Sequence, residues 1–182
     1  MKESSLISYY IESRGNNLLL NVLFIFLGLV ILTCLSQVVI PLPFTPVPIT
    51  GQTFGVILIS MLWGAPRSLS ILTGYLLLGS LGVPVFAGGA SGLVGPTMGY
   101  LIGMLMASYL VGLLSDLGYA KTFKAALLVA YLGSLVIFAS GLVGLSFFIP
   151  KETLLISGLY PFLLGDFCKN ILAAFIVSRL TH

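Results

Sequence analysis

Charge is missing from most of this chain. No charged residue occurs between Arg14 and Arg67, between Arg67 and Asp116, or between Lys124 and Lys151. A helix needs roughly 20 apolar residues to cross about 30 Å of hydrocarbon, so these gaps hold several crossings. Charged residues make up 7% of the 182, against about 25% in soluble domains, which excludes a water-bathed surface of the ordinary kind. A membrane β-barrel would alternate apolar and polar positions. Residues 18–32 and 125–132 are instead nearly continuous apolar runs. The expected fold is therefore all-α: a polytopic membrane protein with a six-helix transmembrane bundle forming one domain over 1–182.

Spans are expected at about 18–39, 52–63, 68–83, 97–117, 125–149 and 153–180, after a cytoplasmic or interfacial segment 1–17. The first ends at a run with prolines at 41, 43, 46 and 48; each lacks an N–H and restricts the residue before it. The first run is too long for a signal-peptide core and no A-x-A site follows it, so it stays attached as a span. The second is short: twelve residues give about 18 Å of helix, suiting a re-entrant segment or a bundle thinner than the bilayer. Segment 2–14 mixes charges with Leu6, Ile7, Tyr9, Tyr10 and Ile11 and reads either as an interfacial helix or as a frayed tail.

Lysine and arginine set the orientation. With the N-terminus inside, Lys2, Arg14, Arg67, Lys121, Lys124 and Arg179 are cytoplasmic, and Lys151 alone stands in an outer loop. That split satisfies the positive-inside rule with both termini cytoplasmic, in the cell (inner) membrane. The uncharged loops 41–51 and 84–96 then lie outside together, which suits segments folded over a cavity. Gly103/Ala107, Ser108/Gly112 and Ser140/Gly144 are small pairs four apart and read as bundle packing. Cys34 and Cys168 read as buried small side chains.

The main polar exception is Gly165-Asp166-Phe-Cys-Lys169-Asn170 in the last span. Asp166, Lys169 and Asn170 stand at i, i+3 and i+4, so they share a helical face. A central Asp or Lys costs roughly 2.5–3.5 kcal/mol on insertion scales. One reading is an ion pair that fixes packing; the other is a polar site facing a cavity. Together the three offer a carboxylate, an ammonium and an amide, which fits a small ligand with both N–H donors and carbonyl or carboxylate acceptors. Gln52, at the start of the second span, faces the same cavity or is a helix-end polar residue. Phe44, Phe86, Trp63, Tyr75 and Tyr100 fall near span ends, where aromatic belts are ordinary; Tyr100 and Phe86 are placed to line an outer pocket.

Enzyme classes fare poorly. Gly89-Ala-Ser91-Gly92 matches the G-x-S-G of intramembrane serine proteases, but such a serine needs a base, and the only histidine is His182, on the opposite side. No cluster suits a metal, no G-x-x-x-x-G-K-[ST] forms a phosphate loop, and no basic stripe suits nucleic acid. No catalytic residue, metal or cofactor is expected.

Three segments go further. Val47-Pro-Ile-Thr-Gly-Gln-Thr-Phe-Gly55 resembles the V-P-I-T-x-Q-T segment of the BioY family, the biotin-binding components of energy-coupling factor (ECF) vitamin transporters. Gly82-Val-Pro-Val-Phe-Ala-Gly-Gly89 with Gly95-Pro-Thr-Met-Gly-Tyr100 resembles that family's glycine-rich stretch. Pro161 with Gly165-Asp166-x-x-Lys169 resembles its last-span motif. The resemblance implies outer loops closing over biotin, with Asp166 accepting a ureido N–H and Lys169 donating to the ureido oxygen or the valerate carboxylate. It makes biotin the transported substrate rather than a cofactor, and implies a transmembrane coupling subunit and two ATPase subunits as partners, or action alone as a facilitator. The chain departs from the pattern at Gly51 and Met98. Gly28, Thr33, Cys34 and Ser36 also do not form the alanines four apart that members often use to dock the coupling subunit. The other readings are a structural or assembly subunit locked by Asp166 and Lys169, and an S-type carrier for another small vitamin.

Overall fold

The β-branched run Val38-Val39-Ile40, closed by Pro41, decides how the first long helix ends. A computed structural model describes residues 5–13 and 17–181; the Lys2, Arg14 and His182 assignments lie outside them. Helix α1 (Leu6–Ser13) precedes α2 (Leu18–Ser36). Beyond Gln37 the chain turns into a short antiparallel hairpin, β1 (Val39–Ile40) and β2 (Ile49–Thr50), pairing Val39 with Thr50 and Ile40 with Ile49. This corrects two expectations: the first span stops at Ser36 rather than 39, and the fold is not purely helical. β-branched side chains favour the strand, and a residue before proline is pushed to extended backbone.

Helix α3 (Gln52–Trp63) follows and is buried along most of its length, packed by α2 and by the helices later in the chain. Gly64, at φ +77°, reverses the chain into α4 (Ala65–Ser80). That helix begins three residues earlier than expected. Pro66 fits its first turn, where no N–H is needed, and the Asp116 carboxylate accepts the Ala65 N–H at 2.8 Å. An anion at a helix N-terminus is favourable.

Helices α5 (Met98–Asp116) and α6 (Phe123–Leu145) form the most extensive pair. Small residues allow this: a Cβ on Gly99 would come within 2.8 Å of Gly144 Cα, and Gly103 lies equally close to Ile137. Ser108 and Gly112 face the other way, onto α4, where Ser68 Oγ donates to the Ser108 carbonyl at 3.0 Å. Trp63 and Tyr75 are buried in this interior rather than placed in an aromatic belt.

The last span, expected as one helix over 153–180, is broken. A 3₁₀ turn (Lys151–Thr153) leads to α7 (Leu154–Gly158), and α8 (Tyr160–Leu180) starts after Leu159, at φ −131° and ψ −61°. Pro161 in the first turn of α8 removes an N–H. The carbonyl exposed at the break, on Gly158, accepts the Tyr100 hydroxyl at 2.6 Å. Span five likewise ends at Leu145, short of 149, before a turn that runs to Pro150.

Among the described residues, four stretches are long and apolar enough to cross a membrane: Leu18–Ser36, Met98–Asp116, Phe123–Leu145 and Lys151–Leu180. Their outward faces are apolar, with Phe26, Leu135 and Leu164 all more than 60% exposed, which lipid accepts and water does not. Cys34 and Cys168 stand on this outer face rather than in the core. The described chain ends meet at one end of the bundle: Ser5 N–H donates to Asp116 at 3.2 Å and Thr181 Oγ1 to the Lys121 carbonyl at 3.5 Å. There α1 is a docked helix and not a frayed tail. Arg67 donates to Ser8 Oγ at 2.6 Å and to Asn21 Oδ1 at 2.8 Å, and Ile11 is fully buried. The hairpin and the glycine-rich loop occupy the opposite end.

Candidate functional site

Two loops roof that opposite end, and each is tied to a helix terminus. Thr45 Oγ1 donates to the Ser157 carbonyl of α7 at 2.7 Å, so the proline-rich loop is pinned to the helix break. Ser36 Oγ, at the end of α2, donates to the Val85 carbonyl at 2.6 Å, holding the start of the glycine-rich loop. Gly92 N–H closes that loop onto the Gly79 carbonyl at 2.8 Å. Beneath them lies a cavity of about 330 Å³, walled by Pro46–Pro48, Phe86, residues 90–92 and 94–97 and the inward faces of α3, α5, α6 and α8.

Its wall is chiefly aromatic. Phe86 is buried and meets Tyr75 edge-on at 5.2 Å between centroids. It fits because position 79 is glycine: a Cβ there would fall within the Phe86 ring. Across the cavity Tyr100, Phe162 and Phe138 form a chain of rings at 6.5 and 6.4 Å. The Tyr100 hydroxyl is committed to Gly158, so what this residue offers the space is its ring.

One charged side chain reaches the cavity. Lys169 Nζ donates to the Thr50 carbonyl at 3.0 Å and to Thr53 Oγ1 at 2.8 Å. The hairpin's last strand and the first turn of α3 thus hold the ammonium at the cavity floor. Beside it Gln52 Nε2 donates to Tyr75 Oη at 2.8 Å, and its Oε1 accepts from Thr50 Oγ1 at 3.1 Å. Lysine brings three donors and no acceptor, and two of the three are engaged by α3 and the hairpin.

The six sequence candidates therefore divide. Gln52, Phe86, Tyr100 and Lys169 line the cavity. Asp166 and Asn170, 6% and 1% exposed, are turned into the α6–α8 seam. Asp166 Oδ1 accepts from Ser134 Oγ at 2.9 Å, Oδ2 accepts from Asn170 Nδ2 at 2.8 Å, and Asn170 also donates to Ser134 Oγ at 2.9 Å. The ion pair that one of the two sequence readings drew between Asp166 and Lys169 is not formed. The residues share a helical face, but at i and i+3 they diverge enough for one to meet α6 and the other α3. Met98, a departure from the family pattern, does not line the cavity, and Gly51 stands where a Cβ would collide with the Leu35 carbonyl. Gly28 and Ser36 are buried inward, so they do not belong to an external face of α2.

Several site residues escaped the sequence reading. Thr50 and Thr53 lie in the segment that carries the family resemblance, and the lysine needs acceptors, so they were discoverable. Ser134, Phe138 and Phe162 carried no such mark. Phe138 is inward while Phe147 and Phe167 are outward, and an apolar helix surrounded by lipid shows no periodicity to separate them.

Comparison with known proteins places this geometry. The chain is 39% identical over 145 residues to the biotin transporter BioY of Thermotoga maritima, spanning 78% of this chain and 85% of that protein. It is 33% identical over 177 residues to the biotin transporter BioY2 of Lactococcus lactis, spanning 92% and 95%. A crystal structure of the S-component for biotin from an ECF-type ABC transporter superposes with a TM-score of 0.80 at 32% identity, covering 88% of this chain and 89% of that one. The model described as the BioY family matches residues 8–182. Both roofing loops and the lysine-bearing helix fall within that match, and the chain belongs to the BioY family.

Proposed function

We propose that this chain carries biotin across the cell membrane, binding it in the roofed cavity as the substrate-specific component of an ECF-type transporter. The observation that carries the proposal is the single ammonium of Lys169, held by Thr50 and Thr53 at the polar floor of a cavity whose walls are chiefly aromatic. Biotin combines a ureido group, an apolar fused ring and an aliphatic chain ending in a carboxylate. Phe86, Tyr100 and Phe162 offer the apolar part its surface, while Lys169 and Gln52 offer the polar part hydrogen bonds. Asp166, expected from the resemblance to accept a ureido N–H, instead lies in the α6–α8 seam, where its bonds to Ser134 and Asn170 fix the helix that carries Lys169.

In the same reading α2, α3, α4, α5, α6 and the α7–α8 unit make six crossings with both termini cytoplasmic. The shared location of Ser5 and Thr181 supports this, as do Arg67, Lys121, Lys124 and Arg179 near that end of the bundle. The roofed cavity then opens outward. The chain has no phosphate loop, so energy comes from partners: a transmembrane coupling subunit and two ATPase subunits.

Titration calorimetry of the purified protein with biotin tests the binding step. Saturable one-to-one binding is expected in the wild type. Removing a charged hydrogen-bonding partner from a desolvated site costs about 2–5 kcal/mol, so Lys169→Ala is expected to weaken binding by roughly 30-fold or more. A wild-type protein that takes up no biotin refutes the proposal.

A further inference from the structure

Tyr75 falls near a span end in the sequence, yet it is fully buried on α4 and does not line the cavity. Its ring nevertheless meets Phe86, a wall residue, at 5.2 Å. Its hydroxyl accepts from Gln52 Nε2 at 2.8 Å and is also hydrogen-bonded to the Ser36 side chain at the end of α2. Ser36 gives its own hydrogen to backbone carbonyls, that of Val85 among them, so the Tyr75 O–H is the donor between the two. Followed from the cavity floor, the donors then run one way. Lys169 donates to the Thr50 carbonyl, Thr50 Oγ1 to Gln52 Oε1, and Gln52 to Tyr75. Tyr75 donates to Ser36, and Ser36 to Val85 at the start of the glycine-rich loop.

Resting on the biotin reading above, we infer that Tyr75 is a positioning residue that sets how long the ligand stays without touching it: its hydroxyl holds the glycine-rich loop over the cavity through Ser36 while it holds Gln52 at the floor. One phenol thus joins α3, the end of α2 and the roof. Only a group that both accepts and donates can stand at that joint. A phenyl ring there keeps the packing on Phe86 but leaves the Gln52 amide and the Ser36 oxygen each short of a partner. Gln52, Tyr75 and Ser36 are all buried, and a partly satisfied buried network is costly. The loop roofs the cavity, so a ligand leaving past it parts Ser36 from Val85. Weakening that tie raises the share of molecules with the loop lifted. Release is then faster, whereas entry, which begins from the lifted loop, is not slowed.

Association and dissociation of tritiated biotin on the full-length protein in lipid nanodiscs, the latter chased with unlabelled biotin, test this. Tyr75→Phe is expected to release biotin at least about fivefold faster than the wild type, the loss that follows from an unpartnered buried polar group, and to associate no more than about twofold more slowly. Ser36→Ala, one link further along, is expected to speed release in the same way. The double variant is expected to release no more than about twofold faster than the faster single variant, because links of one chain are not lost independently. Release from Tyr75→Phe within about twofold of wild type, slowed association with release unchanged, or effects that multiply in the double variant overturn the inference and leave the biotin reading standing. Where Tyr75→Phe does not fold, Ser36→Ala decides alone, and release within about twofold of wild type overturns the inference. A wild type that binds no biotin overturns both.

Discussion

Individual side chains divide the last helix into a binding half and a holding half. Lys169 faces the cavity, and its ammonium is positioned by Thr50 and Thr53 from across the bundle. Asp166 and Asn170 face the α6–α8 seam and close a three-member network on Ser134. Ser134→Ala leaves one oxygen of a buried carboxylate without its donor, which costs about 1–3 kcal/mol. We expect a lower unfolding temperature in detergent, with biotin affinity kept within tenfold of wild type. Gly79→Ala works by a different route. Its Cβ displaces the Phe86 ring from the cavity wall, and calorimetry is expected to show at least a tenfold loss of biotin affinity. The polar residues of this site were legible from the sequence because charge inside an apolar span is rare. Their division of labour was not, since a shared helical face does not say which neighbours that face will meet. Ser134 is one of many serines in apolar helices, and only the packing of α6 on α8 marks it out.

Helices and loops repeat the pattern. Where prolines punctuate the chain in a run, the sequence indicated a boundary, as from Pro41 onward. It did not indicate what the freed backbone groups would find. Asp116 caps α4 from 51 residues away, and Tyr100 caps the α7 break from 58 residues away. The long last span therefore read as one helix, and the hairpin's first strand began at what read as the last residue of the first span, Val39. The small-residue seam was legible as packing, and its tightness makes it fragile. A side chain at Gly99 meets the Ser140 carbonyl and the Gly144 backbone, neither of which can move aside cheaply. Gly99→Leu is expected to destabilise the fold by at least the roughly 1–3 kcal/mol typical of overpacked cores. Thermal melts in detergent check this; an unchanged melting temperature would show that α5 and α6 separate more easily than their contact implies.

For the molecule as a whole, charge depletion foretold a membrane bundle, and the outward apolar faces of α2, α5, α6 and α8 agree with it. The bundle is polarised. Both described chain ends and the docked α1 occupy one end, and the roofed cavity occupies the other. If the first end is cytoplasmic, a fluorescent protein fused to the C-terminus should fluoresce and alkaline phosphatase fused there should be inactive; the reverse result would invert the molecule. Central to the whole account is that this cavity binds biotin through Lys169. Calorimetric titration of the purified wild type and of Lys169→Ala tests it most directly. Saturable one-to-one binding that weakens at least about 30-fold in the variant is the predicted result, and a wild type without biotin affinity, or a variant that binds as tightly, would contradict it.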